Sequence, residues 1–276
     1  MKGLERASWA SIHHNALCKR YPDGGERWLV ADRAIFRERG WEEDRRRVPA
    51  PEAEGPEAPD DPARAAENIE RSKRRARAAV YDLARSSDFE YFVTLTTAPE
   101  KVDRLDDLAV FRKLHKWLDN NVQRHGLAYV LIPEYHKRGG LHFHAFFNAA
   151  LPVVDSGTVS LPGVKRPRRP RSDAERDRWL ASGGRVVYNL PGWGFGFSTA
   201  IRLYGDRSEA VGYVCKYISK SDAKIGGRWY YSGGDLKRPA VLCCNRDFDA
   251  AAGAAGYSFV IDNLGARCCA FEEVTK

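Results

Sequence analysis

Apolar residues recur with two different periods along the chain, and the changes of period mark its elements. FEYFVTLTT (89–97) is aromatic and β-branched, the composition of a strand. Between 104 and 125 the positions Leu105, Leu108, Phe111, Leu114, Trp117, Leu118 and Val122 repeat every three or four residues. That spacing predicts a helix, closed by Gly126. LAYVLIPEY (127–135) and LHFHAFFN (141–148) predict two strands joined as a hairpin through His136-Lys137-Arg138-Gly139-Gly140. RVVYNL (185–190) and FGFSTAIRLY (195–204) predict further strands, and SEAVGYVCKYISKS (208–221) a helix with Ser208 as its N-cap. The Ala- and Arg-rich run 63–86 has neither Pro nor Gly and predicts another helix. Several strands on one sheet with packed helices make an α+β fold, its sheet antiparallel where the hairpin forms it.

One break interrupts this pattern. Residues 48–62 are rich in Pro and acidic side chains and too polar to pack, which is linker composition. The expected organisation is therefore a basic N-terminal segment (1–47) containing Trp9, Trp28 and Trp41, the linker (48–62), and a domain over 63–276. That domain carries an inserted basic loop near 155–183, in which VKRPRRPR (164–171) should be exposed.

Charge and cysteine usage narrow the class. The formal charge is +8, from 45 basic against 37 acidic residues, which favours a polyanionic partner, nucleic acid before membrane. No run of about 18 apolar residues exists to span a bilayer, and the N-terminus lacks the apolar centre of a signal peptide. Cys18, Cys215, Cys243-Cys244 and Cys268-Cys269 do not follow a C-x2-C spacing, so the expectation is reduced thiols in a cytosolic protein. A zinc site built from the two CC pairs is the alternative.

Two groups of residues carry candidate chemistry. His142 and His144 stand two apart in a strand and leave the same face. Two imidazoles make poor core, since each has two ring nitrogens to satisfy. Glu134, near the end of the preceding strand, is placed to sit opposite His142 across the hairpin. A carboxylate and two imidazoles form three metal ligands with positions left open, the arrangement of a catalytic ion. These donors suit Mg2+ or Mn2+ as well as Zn2+. The HxHxD pattern of amidohydrolases is not met, because position 146 is Phe. In GYVCKYISK (212–220), Tyr213, Lys216, Tyr217 and Lys220 fall at i, i+3, i+4 and i+7, one face of a helix. Tyrosine there is a candidate nucleophile and Lys216 a candidate for charge stabilisation.

Together, YFVTLTT (91–97), Glu134 with the HFH of 142–144, and YVCKY (213–217) resemble the motifs of the HUH endonucleases. These are the rolling-circle replication initiators of phages, plasmids and single-stranded DNA viruses. The paired tyrosines look most like the phage gene A-type initiators. The resemblance covers about residues 89–235. It implies a ferredoxin-like or RRM-like palm, a divalent ion (Mg2+ or Mn2+) on Glu134, His142 and His144, and attack by Tyr213 or Tyr217 on single-stranded DNA at an origin. The product would be a 5′-phosphotyrosine and a priming 3′-hydroxyl in a bacterial host cell. Lys137, Arg138, Lys165, Arg166, Arg168, Arg169 and Lys220 would follow the DNA backbone. No GxxxxGK[ST] helicase loop is present, so unwinding would fall to a host helicase and extension to a host polymerase. The rival reading is a non-catalytic RRM-like binder of single strands that stacks bases on Phe143 and Phe147.

Overall fold

The computed structural model describes residues 13–37, 62–103, 106–136, 140–203, 207–220, 223–254, 257–261 and 265–274. The linker up to residue 61, Trp9, Trp41 and Leu105 lie outside the described residues. The chain begins with strands β1 (His13–His14), β2 (Ala16–Arg20), β3 (Gly25–Ala31) and β4 (Phe36–Arg37). Helix α1 (Pro62–Ser86), β5 (Tyr91–Thr97) and α2 (Asp107–His125) follow. Next come β6 (Tyr129–Tyr135), β7 (Leu141–Phe147), β8 (Val154–Ser160), α3 (Asp173–Ala181), β9 (Arg185–Asn189) and β10 (Gly196–Arg202). The chain continues through α4 (Arg207–Lys220), β11 (Tyr231–Gly233), β12 (Ala240–Cys244), α5 (Phe248–Ala254), β13 (Tyr257–Ile261) and β14 (Ala266–Val274). All strand pairings are antiparallel among the described residues, so the fold is α+β as expected.

Residues 60–238 form one compact unit, and residues 1–59 with 239–276 form another. In the first, seven strands run in the order β11-β6-β7-β5-β10-β9-β8. Val110, Phe111, Leu114 and Leu118 of α2 pack on one face, against Leu95, Leu131, Phe143 and Phe147. Val80 and Leu83 of α1, with Val214 and Ile218 of α4, pack on the other, against Val130, Ile132 and Phe146. A central strand covered on both sides needs apolar residues at nearly every position, which is why β7 reads LHFHAFF. Helix α2 is held by its ends. Asp106 accepts a hydrogen bond from the Ala109 amide at 3.0 Å, and Gly126 closes the helix in the left-handed region at φ 68°. Leu108, expected in its apolar stripe, is 77% exposed because it lies in the first turn, ahead of the packed segment. Ser208, expected as the N-cap of α4, is the second helical residue, because the helix starts at Arg207.

The stretch read as an inserted basic loop is more structured than its charge suggested. It holds β8, the exposed run 164–171 and α3. Ser172 caps α3 by accepting from the Glu175 amide, while the Glu175 carboxylate accepts from the Arg171 amide at 2.6 Å.

In the second unit the strands run β12-β2-β3-β14-β13. Residues 239–276, expected within the 63–276 domain, therefore pair with residues from the N-terminal segment. Adjacent cysteines on β14 point to opposite faces. Cys269 packs with Ala16, Cys18, Trp28 and Val30, and Cys268 with Ala31 and Ala266. Neither pair acts as a metal clamp; all six cysteines are free, and Cys18, Cys268 and Cys269 serve as small buried side chains. Burial first, and then the charge of Glu26, pushes the Cys18 thiol up to about 11.

Gly196 fixes how closely β10 approaches β5. Its φ is +156°, and a Cβ there would stand 2.2 Å from the Thr96 carbonyl oxygen and 2.6 Å from the Ala98 nitrogen. Gly196→Ala should destabilise the protein by about 1–3 kcal/mol. Gly192→Ala, which meets nothing within 4 Å, should change stability by less than about 0.5 kcal/mol. Thermal melts of the two variants check the contrast.

Candidate active site

Hairpin register determines which side chains meet. His136 donates its backbone N–H to the Gly140 carbonyl at 2.7 Å, and the paired strands set Glu134 directly opposite His142 and Ile132 opposite His144. On its other edge β7 pairs with β5, Thr96 opposite His142 and Thr94 opposite His144. Directly opposite residues share a face, so Glu134, His142, His144, Thr94 and Thr96 all lie on the α1/α4 side of the sheet.

Each imidazole is held at Nδ1 by a threonine. Thr96 Oγ1 lies 3.1 Å from His142 Nδ1, and Thr94 Oγ1 lies 3.4 Å from His144 Nδ1. His144 Nε2 meets the Glu134 carboxylate at 2.9 Å. The His136 ring stacks on His142 with centroids 4.8 Å apart. From above, Tyr217 of α4 stacks on His144 at 3.8 Å, the two planes within 14°. Lys220, one turn on, puts its Nζ 4.8 Å from the centroid of the Tyr217 ring.

The expected residues are thus partly gathered. Glu134, His142, His144, Tyr217 and Lys220 come together. The tyrosine-lysine stripe divides: Tyr217 is only 7% exposed and belongs to the helix–sheet core, whereas Lys216 and Lys220 are exposed. A tyrosine can be buried here because its ring packs flat on an imidazole. Tyr213 stands one turn earlier on α4, and its side chain lies outside the described residues, as do Lys137 and Arg138. Lys165, Arg166, Arg168 and Arg169 are exposed but distant. Arg168 pairs through its backbone with Val159 of β8, at 2.8 and 2.9 Å. That strand is four places from β7, roughly 19 Å at about 4.8 Å per strand. Sequence reasoning did not assign roles to Thr94, Thr96 and His136. The alternating threonines of YFVTLTT were the available signal.

Among the described residues no group of three or more His, Cys, Asp or Glu side chains is drawn together tightly enough to hold a metal ion. Glu134 and His144 instead bond to each other. Their donor chemistry nevertheless fits a divalent cation. A threonine hydroxyl can donate to Nδ1, leaving a proton on Nε2 for Glu134, or accept from Nδ1–H, leaving Nε2 bare as a ligand. Valine at 94 or 96 could do neither.

Burial lowers the pKa of both imidazoles. For His142 the positive forms of His136 and His144 add to the effect and Glu134 opposes it. For His144 the Glu134 bond opposes burial, and Lys220 reinforces it. Both rings are therefore neutral at neutral pH, the form that binds a cation. With folded values below the ordinary 6.5, the unfolded chain takes up protons that the folded chain resists. Their contribution to stability is complete above pH 6.5 and is lost as the pH falls below it. Melting temperature should drop between pH 7.5 and 5.5, and His144→Gln should flatten that dependence.

No curated protein and no solved structure matches the chain. Residues 90–222 match the model of a protein family described as Replication-associated protein ORF2. The matched stretch runs from the threonine strand through the hairpin to the end of α4, so the part of the chain that holds this site is similar to replication-associated proteins.

Proposed function

We propose that this protein is a rolling-circle replication initiator, an endonuclease that nicks and rejoins single-stranded DNA through a tyrosine. The observation that carries the proposal is the stacking of Tyr217 on His144, which is itself bonded to Glu134. A tyrosine, two histidines and a carboxylate thereby share one spot on a sheet face. The family match over residues 90–222 supports the replication context.

The reaction is a transesterification. A phenolic oxygen of Tyr217 or Tyr213 attacks the scissile phosphorus, the P–O3′ bond breaks, and the phenolic proton is lost while the 3′-oxygen gains one. Free tyrosine has a pKa of about 10, so the phenolate needs help. Lys220, held over the Tyr217 ring, is placed to steady the negative charge, and Lys216 to hold a phosphate oxygen. A divalent ion, Mg2+ or Mn2+, held by Glu134, His142 and His144 would polarise the phosphate and stabilise the leaving oxygen. Thr94 and Thr96 keep the imidazoles oriented. The phosphotyrosine retains the phosphodiester's energy, so a 3′-hydroxyl attacking it rejoins the strand without ATP. Origin unwinding and extension from the free 3′ end then belong to a host helicase and polymerase.

The binding-only reading loses its stacking residues. Phe143 and Phe147 are buried against α2 and offer no surface to a base.

Incubation with single-stranded origin DNA and Mn2+ should give a covalent protein–DNA adduct. His142→Ala or His144→Ala should abolish it while leaving DNA binding within a few-fold, since basic residues carry affinity. Undiminished adduct from either variant in EDTA would overturn the mechanism. Tyr213→Phe and Tyr217→Phe should each retain some adduct, and the double variant none. If Tyr217→Phe cleaves and joins like wild type, a single tyrosine, Tyr213, does the work.

A second expectation concerns the basic run. Binding to single-stranded DNA should weaken steeply with salt, with a slope of about 0.7 per neutralised phosphate. Replacing Arg166, Arg168 and Arg169 by Ala should flatten that slope and leave the cleavage position unchanged. An unchanged slope in a filter-binding titration would make the run a merely solvated surface.

A further inference from the structure

The sheet face that carries the histidines continues past the helices that cover it. Glu134 stands opposite His142, His142 opposite Thr96, and Thr96 opposite Phe197 of β10. Four residues on four neighbouring strands thus form one row on one face. Phe197 is two strands from His142, about 10 Å at ~4.8 Å per strand. It is 73% exposed, and Thr199, the next residue of β10 on that face, is exposed as well.

A single exposed phenylalanine is ordinary. Two features separate this one. Its strand is fixed, paired with β5 over seven consecutive residues from Gly196↔Thr97 to Arg202↔Tyr91, with Gly196 allowing the close approach just before it. The ring is therefore mounted on a central strand rather than a loop. Its neighbours Trp193 and Phe195 are also directed elsewhere, packed with the α2-side core, so Phe197 is not the fringe of that cluster. A flat apolar ring, rigidly mounted beside a phosphate-handling row and flanked by a hydroxyl, has the chemistry of a stacking surface for an unpaired base.

We propose that Phe197 receives an unpaired nucleobase of the DNA strand whose phosphate reaches the Glu134–His142 row. It is a positioning residue, not a catalytic one. At 3.4 Å or more per nucleotide, the distance of about 10 Å covers at most about three nucleotides. The stacked base would thus be a close neighbour of the cleaved phosphate and would set where along the strand that phosphate falls. The proposal rests on the nicking reading for the strand's placement.

The test measures binding in EDTA, where no cleavage occurs, using the full chain and two probes of equal length. One is oligothymidylate of twenty nucleotides; the other is an abasic deoxyribose-phosphate strand with the same charge and no bases. Phe197→Ala should weaken binding of oligothymidylate about 5- to 150-fold and leave binding of the abasic strand unchanged. Phe197→Tyr and Phe197→Trp should restore oligothymidylate binding to within about threefold. Equal melting temperatures would exclude a folding cause, as expected for a side chain this exposed. Binding of oligothymidylate by Phe197→Ala within twofold of wild type, or an equal loss on both probes, overturns the proposal. Failure of the nicking reading would look different. The base-dependent loss would persist, supporting the platform, while wild-type protein formed no covalent adduct with Mn2+.

Discussion

Strand β7 is buried on both faces, and everything distinctive about the site follows from how its side chains divide. Leu141, Phe143, Ala145 and Phe147 point into the core under α2. Because successive strand residues alternate, this commits His142 and His144 to the opposite side, beneath α1 and α4. A slip of one residue would exchange the two sets, exposing apolar rings and driving imidazoles into the α2 core. Burial of the four apolar side chains, each large one contributing about 1.5–3 kcal/mol, is thus what holds the polar face in place.

The sheet acts as a partition. Its α2 side is entirely structural, an apolar cluster with aromatic rings in edge contact, such as Phe111 on Phe143. On the other side helix packing and chemistry are merged, since Tyr217 is at once part of the apolar cluster and the cover of His144. That merger explains how a tyrosine and a histidine, both costly to bury alone, are kept together. Each satisfies part of the other's surface, while Thr94 and Glu134 take up the ring nitrogens of His144.

Much of this was legible in the chain. The Gly-bounded hairpin fixed the facing of Glu134 and His142 by local register alone, and the helical stripe of α2 ended where Gly126 marked it. Local patterns could not reveal what depends on distant pairing. The flat contact of Tyr217 with His144 joins residues 73 apart. The sheet joining residues 16–31 to 240–274 is assembled from the two ends of the chain, and no short window contains it. The α3 helix is a different case. Its Ser172-x-x-Glu175 box was present in the sequence, but with no buried residue it has no apolar period to draw attention. Phe197 was read as one more strand aromatic. Its exposure depends on where α1 and α4 stop, which only the tertiary structure shows.

The threonine partners of the histidines have an effect on how such a site would fill. A cation arriving at His144 has to displace the proton shared with Glu134. The Thr94 hydroxyl answers by rotating about a single bond, from donor to acceptor, as the remaining ring proton moves to Nδ1. Neither the imidazole nor the strand beneath it has to move. Loading would then be a proton-for-metal exchange with almost no reorganisation, and its affinity would follow the acidity of the medium rather than the flexibility of the chain.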